Sequence, residues 1–350
     1  MVVKNKRAFY MKYLADPSFA DILASRPDIA LDNLENCGTY EAMQPILAAA
    51  HVYQITSARD EIDRELYADK PLLARAPNLL AVSTNGVGYD TVSLRACTEA
   101  GVLVVNQAGG NREAVAEHVL GMMLCLSKRI IQADRFMRRE FIFEREAYMG
   151  NDILDKTIGI VGIGHVGSRI AELCRGLFAM RVLACDPYLT EAEIAARGAE
   201  KTELDDLLRQ ADYVSISCPL TDETRGMIGT RQYELMQPHA YFITTARGLI
   251  HDEEALAAAL RERRIAGAGL DVWGKEPPPH DHPLLQFDNV LISPHTAGVT
   301  REARTNCAKI AAEQVIDILD GKRPSRIVNV EAWPLYARRF EHIFGFAPAG

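Results

Sequence analysis

The sequence predicts an α/β protein of two domains, in which parallel sheets are covered by helices. Short runs rich in Ile, Val, Leu and Ala alternate with longer segments rich in Ala, Leu and Glu, an order typical of a parallel sheet and its helices. The apolar runs are nearly continuous, as expected for strands that are buried on both faces. The 350 residues exceed the length at which one hydrophobic core stops growing, about 250–300 residues. Two domains are therefore expected.

Ten strands are predicted, four in the first third of the chain and six in the middle. The pattern is weak in the first third, where helices are expected at residues 45–50 and 91–100. The predicted strands of this part are residues 28–31, 51–56, 79–83 and 102–106. The pattern is strong in the middle, where the predicted strands are residues 157–161, 182–186, 213–217, 241–245, 268–272 and 290–293.

Two candidate hinges divide the chain. A long helical pattern without proline, residues 112–139, follows the glycine pair Gly109–Gly110, and another helix is expected at residues 300–319, after Ala297–Gly298. We therefore predict a central domain of residues 107–297 and a discontinuous domain of residues 1–106 and 298–350. Two crossings of the chain between domains predict a cleft, where ligands of α/β proteins tend to bind.

Composition excludes several classes of protein. The 39 Lys and Arg against 47 Asp and Glu give a net charge of −8, whereas nucleic-acid binders usually carry a basic excess. The seven cysteines contain no Cys-x-x-Cys pair and are expected to be reduced thiols. The start, MVVKNKRAFYMKYLADP, lacks the apolar stretch of a signal peptide, and the longest apolar run, residues 119–126, is too short to cross a bilayer. A cytoplasmic protein without membrane or nucleic-acid partners is expected.

A glycine-rich loop predicts a dinucleotide site. Gly162, Gly164 and Gly167 form the pattern G-x-G-x-x-G between a predicted strand and a helix that begins near Val166. The first glycine allows the tight turn, the second lets the backbone approach a pyrophosphate, and the third lets the helix pack against the strand. The N–H groups and the dipole at the start of that helix attract phosphate. The alternative interpretation is a tight turn in a sheet that binds no nucleotide.

Asp186 strengthens the dinucleotide interpretation and selects the cofactor. It ends the next predicted strand about 20 residues after the glycines, where a carboxylate accepts hydrogen bonds from the adenosine ribose. A carboxylate there repels a 2′-phosphate, and Pro187 and Tyr188 supply no arginine to bind one. NAD is therefore predicted in preference to NADP.

Three polar residues follow the ends of strands in the same predicted sheet. Arg247, Glu276 and His295 each have an ordinary explanation as loop residues, but together they suit hydride transfer. The arginine can pair with both oxygens of a carboxylate. The histidine can give a proton to an alkoxide and take it back, while the glutamate fixes its tautomer and favours its charged form. The sequence therefore predicts a catalytic trio.

Eight motifs in this order resemble those of the D-isomer-specific 2-hydroxyacid dehydrogenases, an NAD-dependent family. The resemblance covers nearly the whole chain, most clearly residues 79–329. The motifs are NGVGYD, NREAVAEH, GIGHVG, CDP, CPLTDET, TTARG, LDVWGKEP and SPHTAG. The resemblance implies a Rossmann NAD-binding domain inserted into a flavodoxin-like substrate domain, and a homodimer held largely by the cofactor domains.

The resemblance also implies roles for individual residues. Arg247 would bind the carboxylate and keto oxygen of a small 2-oxo acid, His295 would be the acid/base and Glu276 its partner, and the backbone of Val87 and Gly88 would complete the carboxylate site. The implied NAD contacts are Gly162, Gly164, His165, Val166, Gly167, Asp186, Cys218, Pro219, Thr224, Thr245, Ala246, Asp271, His295 and Gly298. The chain departs from the family pattern at Ala108, where proline is usual, and at Ser93, where an acid is common.

Several questions stay open at this stage. Glyoxylate or hydroxypyruvate is the favoured substrate, phosphoglycerate the alternative, and an NAD(H)-sensing corepressor-like protein the alternative of another class. The segment His280-Asp281-His282 is interpreted as a solvated loop because it lacks the full ligand set of a zinc site, so no metal is predicted. His118 is interpreted as structural. The aromatic residues after Glu331 are interpreted as a packing or dimer surface rather than a lid.

Overall fold

The computed structural model describes residues 6–12, 14–59, 61–139 and 145–350. Residues 1–5, the first part of the N-terminal segment for which a signal peptide was not expected, lie outside the described residues. The chain divides into two compact units, one of residues 1–111 with 300–350 and one of residues 112–299. All seven cysteines are free thiols. No helix of the described residues is both long enough and apolar enough to span a bilayer.

The first unit is a five-stranded parallel sheet with helices. Its strands are β1 Lys6–Tyr10, β2 Ile29–Asn33, β3 Val52–Thr56, β4 Ala81–Asn85 and β5 Leu103–Val105. Its helices are α1 Ser18–Ala24, α2 Tyr40–Ala49, α3 Lys70–Arg75, α4 Leu94–Ala100, α12 Arg301–Leu319 and α13 Trp333–Phe344. The strand order is β2-β1-β3-β4-β5, which is the order of flavodoxin-like sheets.

The C-terminal helix belongs to the core of this unit. Tyr336 and Phe340 are completely buried, and the Tyr336 hydroxyl donates a hydrogen bond to the Ile318 carbonyl at 3.1 Å. Phe346, in contrast, is half exposed. The packing role predicted for the aromatic segment is thus confirmed for its two central rings, because burying aromatic side chains of this size strongly favours the folded state.

The second unit is a seven-stranded parallel sheet. Its strands are β6 Thr157–Val161, β7 Arg181–Cys185, β8 Glu200–Lys201, β9 Tyr213–Ile216, β10 Tyr241–Thr244, β11 Gly267–Leu270 and β12 Val290–Ile292. Its helices are α5 Arg112–Ser127, α6 Ile130–Arg139, α7 His165–Phe178, α8 Glu191–Ala196, α9 Leu204–Gln210, α10 Thr230–Leu235 and α11 Glu253–Arg261.

The strand order of the second unit is β12-β11-β10-β9-β6-β7-β8. Within this unit β6 is the first strand, and β7 and β8 lie in order on one side of it. The chain then crosses over, so that β9 lies on the other side of β6. This is the Rossmann order, and such sheets bind ligands beyond the carboxyl ends of the strands where the order reverses, here between β6 and β9. The predicted fold class, a Rossmann unit within a second α/β unit, is confirmed.

The structure corrects the predicted elements in three places. The helix predicted at residues 112–139 is two helices, because the Ser127 carbonyl accepts from Asn151 N–H at 2.8 Å and Arg129 has a positive φ of 54°. The strands β1 and β8 were not predicted, since each contains charged residues that mask a strand pattern. Asp186 does not end a strand but is the first residue after β7, and most other predicted strand ends shift by one or two residues.

Candidate active site

The phosphate loop has the geometry that its three glycines predict. Gly162 adopts φ +88°, and a Cβ there would lie 2.6 Å from the backbone nitrogen of Cys218. A Cβ on Gly167 would lie 2.3 Å from the Gly162 carbonyl oxygen, so glycine is needed for α7 to pack this closely. A Cβ on Gly164, the N-cap of α7, would meet nothing within 4 Å. The loop is therefore tight on the protein side and open where a pyrophosphate would approach.

Asp186 lies directly beside this loop. One carboxylate oxygen accepts from Ile163 N–H at 3.2 Å and the other from Tyr188 N–H at 3.1 Å. These two bonds orient the side chain at the carboxyl edge of β6 and β7, where a ribose of a dinucleotide is bound in Rossmann units. The residues present thus fit an NAD molecule.

Three arginines that the sequence reasoning missed surround the same loop. A cavity of about 230 Å³ at the start of α7 is lined by Arg112, Arg169 and Arg197 together with Gly164, His165, Ser168 and Glu172. Arg197 donates to the Ile163 carbonyl at 2.8 Å, and Arg169 is paired with Glu113 at 2.6 Å. The three guanidinium groups outnumber the single carboxylate of the lining, Glu172, and a net positive charge beside a helix N-terminus suits an anionic ligand. No local pattern identifies them, because they come from separate elements.

The other predicted NAD residues lie in the same unit, at or after the ends of strands. Cys218 and Pro219 follow β9, and Thr245 and Ala246 follow β10. Thr224 shapes the loop after β9, since its hydroxyl donates to the Pro219 carbonyl at 2.7 Å. His165 and Val166 are the first residues of α7, and Gly298 lies near the end of the unit. Their contacts with a cofactor remain predictions.

His295 and Glu276 form a hydrogen-bonded pair. The Nδ1 atom of His295 lies 2.8 Å from Oε2 of Glu276, although the two residues are on different loops, after β12 and β11. This hydrogen bond raises the pKa of His295, while burial and the charge of Arg247 oppose the rise. Burial acts to raise the pKa of Glu276, but the hydrogen bond and charge of His295 outweigh it and the pKa is lowered. The pair therefore favours imidazolium beside carboxylate.

Arg247 lies near this pair. It follows β10, and its positive charge lowers the pKa of both His295 and Glu276, so the three groups share one electrostatic environment. A Cβ on the next residue, Gly248, would overlap the backbone of Trp273 at 2.0 Å. This close approach brings the loop of Arg247 against the loop that carries Glu276. The structure thus places the loops of Arg247, Glu276 and His295 beside one another, and the catalytic roles of the three residues remain predictions.

Two further residues hold the loops of the trio. The backbone N–H of Trp273 donates to Glu276 Oε1 at 3.1 Å, and its indole N–H donates to the Ser293 carbonyl at 3.3 Å. Asp271, completely buried after β11, accepts hydrogen bonds from Ser293, Thr296 and Ala297. The family resemblance implied that Asp271 contacts NAD, but no role was predicted for Trp273 or Ser293.

Other candidates from the sequence are Val87, Gly88 and His282. Val87 and Gly88 follow β4 in the first unit, with Val87 39% exposed, and their part in substrate binding remains a prediction. His282 contacts Glu253 at 3.3 Å. Within the described residues, no group of three or more His, Cys, Asp or Glu side chains is arranged to hold a metal ion.

A comparison with known families decides the classification. The family model described as D-isomer specific 2-hydroxyacid dehydrogenase, NAD binding domain, matches residues 120–297, slightly more than half of the chain. The chain belongs to this family. The members are NAD-dependent oxidoreductases that act on CH–OH groups.

Relatives within the dehydrogenase family carry different names. The chain is 40% identical to a glyoxylate reductase of Aeropyrum pernix over 75% of its own length and 80% of that protein. It is 39% identical to a D-3-phosphoglycerate dehydrogenase of Archaeoglobus fulgidus over 75% of its own length, and it spans only about half (49%) of that protein. The structure resembles Aquifex aeolicus D-lactate dehydrogenase complexed with NAD and lactic acid, with a TM-score of 0.78, 25% identity and coverage of 92% and 99%.

Proposed function

We propose that this dehydrogenase interconverts a small D-2-hydroxy acid and its 2-oxo acid, with NAD as the cofactor. The observation that carries the proposal is the hydrogen bond of 2.8 Å between His295 Nδ1 and Glu276 Oε2 beside Arg247. A carboxylate can only accept, so Nδ1 bears the hydrogen and Nε2 is left to face the substrate oxygen.

Each member of the trio has a distinct task in the proposed reduction. NADH, when bound, supplies the hydride to the carbonyl carbon. Arg247 pairs with the substrate carboxylate and polarises the keto oxygen. His295, held as imidazolium by Glu276, gives the proton to that oxygen, and in the reverse direction it takes the proton back. The pair therefore supports proton transfer in both directions.

We infer that the physiological acid carries no phosphate. Residues 57–65, directly after β3, hold four acidic residues and two arginines. The first residue of this segment lies at the end of β4, because Ser57 Oγ donates to the Asn85 carbonyl at 3.0 Å. The acidic excess of this segment would disfavour a phosphate dianion bound near the end of β4. Glyoxylate or hydroxypyruvate is therefore favoured over phosphoglycerate.

A substrate panel tests this proposal. NADH oxidation is measured with glyoxylate, hydroxypyruvate, pyruvate and phosphohydroxypyruvate, and the highest kcat/KM is expected with one of the first two. The highest value with phosphohydroxypyruvate would show instead a phosphoglycerate dehydrogenase. Tight NADH binding without turnover of any acid would favour the NAD(H)-sensing alternative.

Asp186 is expected to set the cofactor preference. Because its carboxylate repels a 2′-phosphate, kcat/KM for NADH should exceed that for NADPH by at least about a hundredfold. Asp186→Asn keeps an oxygen that can accept from the phosphate loop but removes the charge, so it should reduce this ratio by about tenfold. Steady-state kinetics with both cofactors measure the ratio. Comparable kcat/KM values of the unsubstituted protein for the two cofactors would contradict the role of Asp186.

We also propose a homodimer, as the family resemblance implies, formed through an exposed apolar patch. The patch comprises Ile130 (49% exposed) and Met137 (56%) on α6, with Met149 (71%) after it. The ring of Phe136 packs on Tyr148 at 5.1 Å, which places Met149 beside the helix. None of the residues of α6 is buried in the single chain. Patches of this kind mark interaction surfaces.

The patch can be tested by measuring mass in solution. The unsubstituted protein is expected at the mass of two chains, and Met137→Asp is expected to shift it toward the mass of one, because a charge would be buried in the interface. Leu177→Asp, at an exposed leucine elsewhere in the same unit, is the control and should leave the mass unchanged. A monomeric parent protein would refute the dimer, and a dimeric Met137→Asp variant would refute this patch.

A further inference from the structure

A chain of hydrogen bonds leads from helix α5 to the loop of His295. His118 Nε2 lies 3.0 Å from Ser293 Oγ, which lies 2.6 Å from Asp271 Oδ1. A carboxylate only accepts, so the serine hydroxyl donates its single hydrogen to Asp271. The serine oxygen must then accept from His118, and Nε2 of His118 carries the hydrogen. The direction of the chain is thus from His118 through Ser293 to Asp271.

Asp271 in turn holds the backbone of His295 and of the two residues that follow it. Its side chain accepts from the backbone N–H groups of Thr296 at 2.8 Å and Ala297 at 2.9 Å, and its backbone carbonyl accepts from His295 N–H at 2.7 Å. His295 has a positive φ of 54°, a conformation that costs free energy for a side chain with a Cβ. Such a conformation persists only where the surrounding structure enforces it.

We propose that His118 is a positioning residue for His295 and acts through Ser293 and Asp271. The N–H of His118 fixes the Ser293 hydroxyl, the hydroxyl fixes the Asp271 carboxylate, and the carboxylate fixes the loop on which His295 reaches Glu276. In this proposal His118 takes no part in proton transfer to the substrate. The proposal rests on the proposed function for the identity of His295 as the acid/base.

The surroundings of His118 support a directed contact rather than simple filling of space. Its side chain is 27% exposed and lies 3.8 Å from Asp271 Oδ1, so it is not enclosed by apolar groups. A buried carboxylate is costly unless its hydrogen bonds are complete, and Ser293 supplies one of three such bonds. Without a donor at position 118, the Ser293 hydroxyl is free to rotate away from Asp271.

The test compares two replacements of His118. His118→Phe keeps the ring volume but has no donor, whereas the amide of His118→Gln can still donate to Ser293. Glu117→Gln, at the exposed neighbour on α5, is the matched control. Each variant is examined by the kinetics of 2-oxo acid reduction and by NMR titration of histidine-labelled protein, with the His295 signal assigned from its absence in His295→Asn.

We expect His118→Phe to lower kcat by tenfold or more, since a displacement of about 1 Å can cost about a hundredfold. KM for NADH should change by less than about threefold, because the phosphate loop is untouched. The His295 titration should move to lower pH, since the loop no longer holds the ring on Glu276; the other charges that act on it are Arg247 and Asp271. His118→Gln should restore most of kcat, and Glu117→Gln should match the unsubstituted protein.

A wild-type kcat and an unmoved His295 titration in His118→Phe would overturn the proposal, even if the melting temperature fell. Equal losses in the Phe and Gln variants would overturn it as well, because the donor would then be irrelevant. The NMR titration needs no substrate. If the unsubstituted protein reduces no acid of the panel, the proposed function fails, while the His295 signal still decides whether His118 positions the ring.

Discussion

Replacing Arg247 with alanine is expected to lower kcat/KM for 2-oxo acid reduction by about a thousandfold or more. The change removes both the guanidinium that pairs with the substrate carboxylate and the positive charge that stabilises the developing oxyanion. Because Arg247 lowers the pKa of His295, its loss should also move the loss of activity at high pH to higher pH. Steady-state kinetics over a range of pH measure both effects.

Two further variants make the Arg247 result specific. Arg247→Lys keeps the positive charge but lacks the planar guanidinium that can donate two parallel hydrogen bonds to a carboxylate, so it should recover only part of the activity. Arg261→Ala, at the exposed end of α11, should leave kcat/KM unchanged. If Arg247→Ala retained the kcat/KM of the unsubstituted protein, Arg247 could not have the proposed role in substrate binding.

Glu276→Gln is expected to shift the pH dependence of reduction to lower pH. The hydrogen bond to Glu276 raises the pKa of His295 above its usual 6.5, and a neutral amide cannot stabilise the imidazolium in the same way. Reduction requires protonated His295, so activity falls as pH rises through that pKa. With the pKa lowered, the fall begins at lower pH, and kcat at neutral pH should decrease by tenfold or more, as expected for impaired acid catalysis.

The same variant has an independent check in the oxidative direction. Oxidation requires neutral His295, so the rate of oxidation rises as the pH passes the pKa of His295. In Glu276→Gln this rise should also move to lower pH. Glu262→Gln, at an exposed surface glutamate, serves as the control and should leave both limbs in place. Limbs that do not move in Glu276→Gln would argue against the pairing.

The sequence predicted six of the seven strands of the second unit because these six are largely apolar, and it missed β8, whose two residues are both charged. It failed at β1, where Lys6 and Arg7 precede the buried Ala8 and Phe9 and make a central strand resemble a surface segment. It also failed at Ser127, where a tertiary hydrogen bond to Asn151 replaces a helical one. Local patterns contain no information on such distant partners.

In the candidate site, too, some residues follow from local sequence patterns and others depend on contacts between distant parts of the chain. Gly162, Asp186 and the trio could be proposed from the sequence because they occupy fixed offsets from predicted strand ends. The arginines at the phosphate loop, Trp273 and the partners of His118 depend on which elements the fold places side by side. They become visible only in three dimensions.

The positive φ of His295 has a consequence for making an inactive form of this dehydrogenase to trap a bound substrate. Alanine at this position would combine loss of the proton donor with relaxation of the backbone, and a β-branched residue would strain it further. Asparagine tolerates a left-handed backbone, so His295→Asn should abolish turnover with the least disturbance of the loop. It is therefore the variant of choice for crystallising a ternary complex.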